Sequence, residues 1–178
     1  MNSQNTDDLL LDRFDIGLLN ALQTDAGSTH QQLAEAVHLS ASQVSRRVQR
    51  LQSCGLIQRQ VALLNPGLLG LGVTAISYVT MAHHGRTERG QFEQDITKIA
   101  AVQECYAVTG ESDYVLKIVV SDLNELAESV LKVITRMPGV ASVRSNLVLN
   151  CVKSTTQLSL AHLEHQPKAA RQVRVVVR

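Results

Sequence analysis

The chain has 178 residues, of which 44% are hydrophobic and 19% charged, and its net charge is +1. This describes a soluble globular protein of one domain or two small ones, and it excludes a general polycation, so any nucleic-acid contact must be a local patch. No apolar run approaches the ~20 residues of a membrane span, and the polar, acidic start lacks the marks of a secretory signal.

Cys54, Cys105 and Cys151 lie far apart, with no CxxC or Cys/His metal spacing, and aromatic residues make up only 3% of the chain. A reduced cytoplasm fits such cysteines. The shortage of rings argues against single-strand recognition by base stacking.

Residues 11–23 carry Leu11, Phe14, Ile16, Leu18, Leu19 and Leu22, enough for a first helix, closed by Asp25-Ala26-Gly27. Thr29 or Ser28 caps a second helix over residues 30–37, with Leu33, Ala34 and Val37 inside. After the short link His38-Leu39-Ser40 comes a third, over residues 40–51. Val44, Val48 and Leu51 form its apolar stripe, Ser40 with Gln43 makes a capping box, and Gly55 suits the left-handed position beyond its end. Ser42, Gln43, Ser45, Arg46, Arg47 and Arg50 fall away from that stripe. Three arginines and no acid in twelve residues suit a helix pressed on phosphates and base edges.

On its own, such a helix is often only a solvated face. Charge placement favours the DNA reading. In the first 60 residues all six acids precede residue 36, and four of the five arginines follow residue 45. The last two helices and their tight turn make a helix-turn-helix, and residues 56–61 alternate enough for the strand of a small wing.

Leu63-Leu64-Asn65-Pro66-Gly67 breaks the pattern. Beyond it the spacing predicts a strand over residues 72–81 and a helix over 86–101 facing inward through Phe92, Ile96 and Ile99. Strands over 102–108 and 114–120 follow. A second helix over 123–137 carries Leu123, Leu126, Ala127, Val130, Leu131 and Ile134, and a strand over 140–152 comes last. This β-α-β-β-α-β order is the ferredoxin-like split unit, whose open sheet face can pack on a second copy.

The fold class is therefore α+β. Residues 8–62 form a winged helix-turn-helix, 63–70 a linker, 71–156 a ferredoxin-like effector-binding and oligomerising domain, and 161–178 a basic tail. That tail carries Lys168, Arg171, Arg174 and Arg178 against Glu164, and residues 172–178 alternate enough to add an edge strand. The turn from Thr109 to Tyr114 has two readings. Gly110 and Asp113 suit a plain hairpin turn. They also suit a small-ligand site, with Asp113 taking an ammonium group and backbone N–H groups a carboxylate.

In order and spacing, Leu11-Asp12-Arg13-Phe14-Asp15, Leu39-Ser40, Arg46-Arg47-Val48-Gln49-Arg50-Leu51, Gly55-Leu56-Ile57, Leu64-Asn65-Pro66, Val108-Thr109-Gly110-Glu111-Ser112-Asp113-Tyr114 and Met137-Pro138-Gly139-Val140 resemble the Lrp/AsnC family of transcription regulators. The resemblance covers about residues 9–158. It implies a regulator that binds double-stranded DNA and forms homodimers assembling to tetramers or octamers. It also implies an amino-acid effector between subunits, with Thr109, Gly110 and Asp113 at the turn and Asn146, Leu147 and Val148 on the last strand as contacts. Asn146 departs from an aromatic common in that strand, and Ala41 and Gln43 stand where prolines are frequent.

Neither a cofactor nor catalytic residues are expected. The rival is a sirohaem-decarboxylating enzyme on the same scaffold, for which Tyr78, His83, His84, Tyr106 and Arg144 are the candidates. A second rival is an amino-acid sensor acting through a protein partner.

Overall fold

The computed structural model describes residues 6–82, 85–164 and 172–176. In chain order the elements are β1 (Thr6–Leu10), α1 (Arg13–Thr24), α2 (His30–Val37), α3 (Ala41–Ser53), a 3₁₀ turn (Gly67–Leu69), β2 (Val73–Met81), α4 (Arg86–Ile96), β3 (Val102–Ala107), β4 (Tyr114–Val120), a π-helical stretch (Glu125–Leu131) running into α5 (Lys132–Thr135), β5 (Val140–Leu147), α6 (Ala161–Glu164) and β6 (Gln172–Val176). They form two units, one of Met1–Ala62 with Ser154–Arg178, the other of Leu63–Lys153. Among the described residues no helix is long and apolar enough to cross a membrane.

In the first unit, α1, α2 and α3 each open with a reciprocal capping box, formed by Asp12 with Asp15, Thr29 with Gln32, and Ser40 with Gln43. Each box satisfies N–H groups that have no partner inside the helix. α2 ends at His38 in the left-handed region (φ 57°), so the backbone reverses sharply before re-entering a helix at Ala41. Leu18, Leu33, Ala34, Val37, Val44 and Val48 bury one shared core. Leu11, Ile16 and Leu51 form a second, completed by Leu163 of α6.

The segment leading to α6 is tied to the end of α1. The Leu158 N–H donates to Gln23 Oε1 at 2.7 Å, and the Gln157 amide donates to Thr24 Oγ1 at 3.1 Å. β6 pairs antiparallel with β1, from Thr6↔Val176 to Leu10↔Gln172. The described residues after 153 thus pack with the first unit, and Gln172–Val176 form the edge strand that alternation allowed; Lys168, Arg171 and Arg178 of the expected basic tail lie outside the described residues. The predicted wing strand over 56–61 does not form. Leu56 and Ile57 pack against the Leu11–Ile16–Leu51 cluster, and no neighbouring segment among the described residues gives them a ladder.

In the second unit the sheet order is β3-β4-β2-β5, antiparallel throughout. Ala75, Ser77, Val79 and Met81 of β2 and Tyr114, Leu116, Ile118 and Val120 of β4 are buried on one face. Phe92 and Ile96 of α4 cover that face together with Leu126, Val130 and Ile134. The other face carries Thr74, Ile76, Tyr78, Thr80, Val115, Lys117 and Val119, all half-buried. This is the expected split unit, with both helices on one side.

Three expectations differ in detail. α4 stops at Ile96. The last strand stops at Leu147, leaving Leu149 and Val152 exposed. The helix expected over 123–137 is π-helical in its middle. Its buried residues Leu126, Val130 and Ile134 recur every four positions, longer than the 3.6 of an α-helix, and the wider π turn keeps all three on the sheet.

Candidate nucleic-acid interface and effector turn

Val44, Val48 and Leu51 turn one side of α3 into the core, so its polar side is fixed by packing. Ser42, Gln43, Arg46 and Arg50 are exposed, while Ser45 and Arg47 are half-buried. The Gln43 Oε1 accepts from the Ser40 N–H and hydroxyl, both at 3.0 Å, so its amide hydrogens are what it can offer a base. Arg46 makes no ion pair among the described residues.

Arg47 and Arg50 are placed differently from the expectation. Arg47 Nη1 lies 2.8 Å from Asp15 Oδ1 and 2.8 Å from Asp12 Oδ2, and Arg50 Nη2 lies 2.6 Å from Asp15 Oδ2. Arg47 also stacks over the Phe14 ring at 5.6 Å. Asp15 is only 1% exposed, so its charge depends on these partners. Burial pushes the Asp12 carboxyl up, but N–H donation from Asp15 and the Arg47 guanidinium outweigh it and hold it below its ordinary value. Burial likewise opposes the charge on Arg47, and bonds to Asp15 and Asp12 more than restore it. The segregated charge read as a phosphate footprint is therefore partly neutralised within the fold.

At the turn between β3 and β4, Gly110 holds φ at +120°, which a side chain would strain. Thr109 and Glu111 are exposed. Asp113 is partnered: Oδ2 accepts from the Met81 N–H at 2.8 Å and Oδ1 from Arg89 at 2.6 Å. Arg89, on α4, was not anticipated, because nothing in α4's mixed charges singles it out. Next to Asp113, the buried Tyr114 donates its hydroxyl to Glu93 at 2.8 Å.

Asn146, Leu147 and Val148 are exposed at the far end of β5, where Asn146 pairs with Ile76 and Leu147 with Ala75. Asp113 binds the backbone at the opposite end of β2, at Met81. At ~3.3 Å per residue the two groups stand about 20 Å apart along β2, so one chain does not bring them together.

Of the residues considered for an enzyme, Tyr78 lies under Arg144 at 5.3 Å, Tyr106 donates to Glu104 at 2.8 Å, and His83 and His84 lie outside the described residues. Among the described residues no cluster of His, Cys, Asp and Glu could hold a metal ion.

Residues 11–58 match the model of a winged helix-turn-helix DNA-binding domain, and residues 74–158 that of the Lrp/AsnC ligand-binding domain. The chain is 32% identical to the DNA-binding transcriptional activator DecR of Escherichia coli K12, over 85% of this chain and 99% of that one. It is 34% identical to the leucine-responsive regulatory protein of the same organism, over 83% and 90%. A transcriptional regulator of Neisseria meningitidis, solved as a complex with L-Met, superposes with a TM-score of 0.83 at 35% identity, over 86% of this chain and 99% of that one. The likeness runs along most of these proteins' length and takes in both the helix-turn-helix and the sheet unit, and the chain belongs to the Lrp/AsnC family of transcriptional regulators.

Proposed function

We propose that the chain is a sequence-specific transcriptional regulator whose hold on double-stranded DNA is tuned by a free amino acid. The observation that carries the DNA half is α3. Packing fixes it with Ser42, Gln43, Ser45 and Arg46 on its polar side, near the N-terminal end that enters a major groove in helix-turn-helix proteins. Arg46 is the phosphate or guanine contact, the Gln43 amide and the two hydroxyls reach base edges, and Arg47 and Arg50 hold α3 against α1.

The effector half is supported by the Neisseria relative, which was solved with L-Met. The open sheet face supports a homodimer, and a dimer answers the 20 Å separation: Thr109, Gly110 and Asp113 of one copy meet Asn146, Leu147 and Val148 of another. Two α3 helices then read half-sites about one helical turn apart, or a multiple of it. Further assembly to tetramers or octamers gives states of different DNA affinity, and effector shifts the balance by binding them unequally. Such a regulator works in the cytoplasm.

Fluorescence anisotropy on a duplex from the region upstream of its own gene tests the assignment. Arg46→Ala should weaken binding and make the slope of log K against log salt shallower by about 0.9, one phosphate's share. An unchanged affinity and slope would remove Arg46 from the interface.

A further inference from the structure

We propose that Asp15 is a specificity-determining positioning residue, whose buried carboxylate withholds Arg47 and Arg50 from DNA so that α3 meets phosphate through Arg46. This rests on the DNA-binding reading of α3.

The two carboxylates of Asp12 and Asp15 face the two guanidinium groups of Arg47 and Arg50 at 2.6–2.8 Å, a balanced cluster. The Asp15 Oδ2 atom also accepts the Asp12 N–H at 3.0 Å, so the carboxylate is fixed by backbone as well as by charge. Arg47 is further held over the Phe14 ring. Swinging either arginine to a phosphate would leave a carboxylate that is 1% exposed short of a partner. An uncompensated buried charge outweighs one phosphate contact at a wet surface.

The consequence is selectivity. Phosphate contacts strengthen binding to every sequence, whereas base contacts discriminate. Two arginines retired from the phosphate set lower non-specific affinity and leave Ser42, Gln43 and Ser45 in place. Asp12, with a side chain 45% exposed, contributes less than Asp15.

The test uses the full chain, the same upstream duplex and a scrambled duplex, with binding measured at several salt concentrations. Asp15→Asn should steepen the salt slope by roughly 0.9 for each arginine set loose, and should narrow the affinity ratio between the two duplexes. Adding Arg47→Gln and Arg50→Gln to that variant should return the slope to the wild-type value. A variant that is only destabilised would lose affinity without a steeper slope. Should Asp15→Asn not fold, Arg50→Gln in the wild-type background decides: an unchanged slope supports the proposal, and one shallower by about 0.9 overturns it. If the slope depends on Arg46 while Arg50→Gln flattens it, this proposal fails and the DNA reading stands. Absence of binding by the wild type to either duplex removes both.

Discussion

Leu163→Ala deletes the α6 contribution to the core formed with Leu11, Ile16 and Leu51. Leu163 is 8% exposed, and its three neighbours are 3% exposed or less. Buried leucine truncations cost about 2–5 kcal/mol, the spread reflecting how far the site collapses. Leu163 sits at the rim of its cluster beside the half-buried Leu160, so the low end applies, about 2 kcal/mol. In a unit of this size each kcal/mol moves the melting point by roughly 4–8 °C, so the first unit should melt about 8–16 °C lower.

Calorimetry reads both units in one scan, and far-UV dichroism identifies the helical transition. Leu158→Ala is the control, because Leu158 is 73% exposed and bonds to Gln23 through its backbone. The reasoning fails if Leu163→Ala leaves the helical transition in place, or if the two substitutions shift it equally.

One of the common amino acids, screened at millimolar concentration, should raise the melting transition of the Leu63–Lys153 unit, by about 2.7 kcal/mol of added stability at a hundred times Kd. Asp113→Asn should abolish the rise, and a full set of amino acids without effect would exclude an effector of this class. Burial, and then the bond to Glu93, pushes the Tyr114 hydroxyl up from 10.0 to about 12. A raised folded value means a contribution fully present below pH ~10 and lost as pH climbs toward 12, so urea midpoints of the wild type should fall across that window and those of Tyr114→Phe should fall less.

The parts of the fold that could be read in the sequence were local. Ser40 and Gln43 lie three residues apart, and both halves of their capping box are visible at once. β2 and β4 were legible because both are runs of β-branched, aromatic and other apolar residues bounded by turn signals. The Asp15 cluster could not be read this way, since its partners lie 32 and 35 residues downstream. Acids gathered before residue 36 and arginines after residue 45 look the same whether the two groups neutralise each other or face outward. Arg89 was hidden for the same reason, 24 residues from Asp113. Leu163 looked like part of a tail because nothing near it in sequence marks the α1–α3 junction as its destination. The wing strand failed because alternation describes a face and cannot supply a ladder partner.

The core behind the recognition helix takes Leu11 from near the start of the chain and Leu163 from near its end, and β1 pairs with β6 across almost the full length. Everything between Leu63 and Lys153 is, in chain terms, an insertion into the DNA-binding unit. A ribosome emits residues at about 5–20 per second, and completed units fold as they emerge. The sheet unit, whose four strands all lie between Val73 and Leu147, can close first. The first unit is completed only when Leu163 and β6 arrive, and contacts so far apart in sequence close more slowly than local ones. A nascent chain that has reached Lys153 but not Leu163 therefore carries all the strands of the sheet, while the core behind α3 still lacks one of its walls.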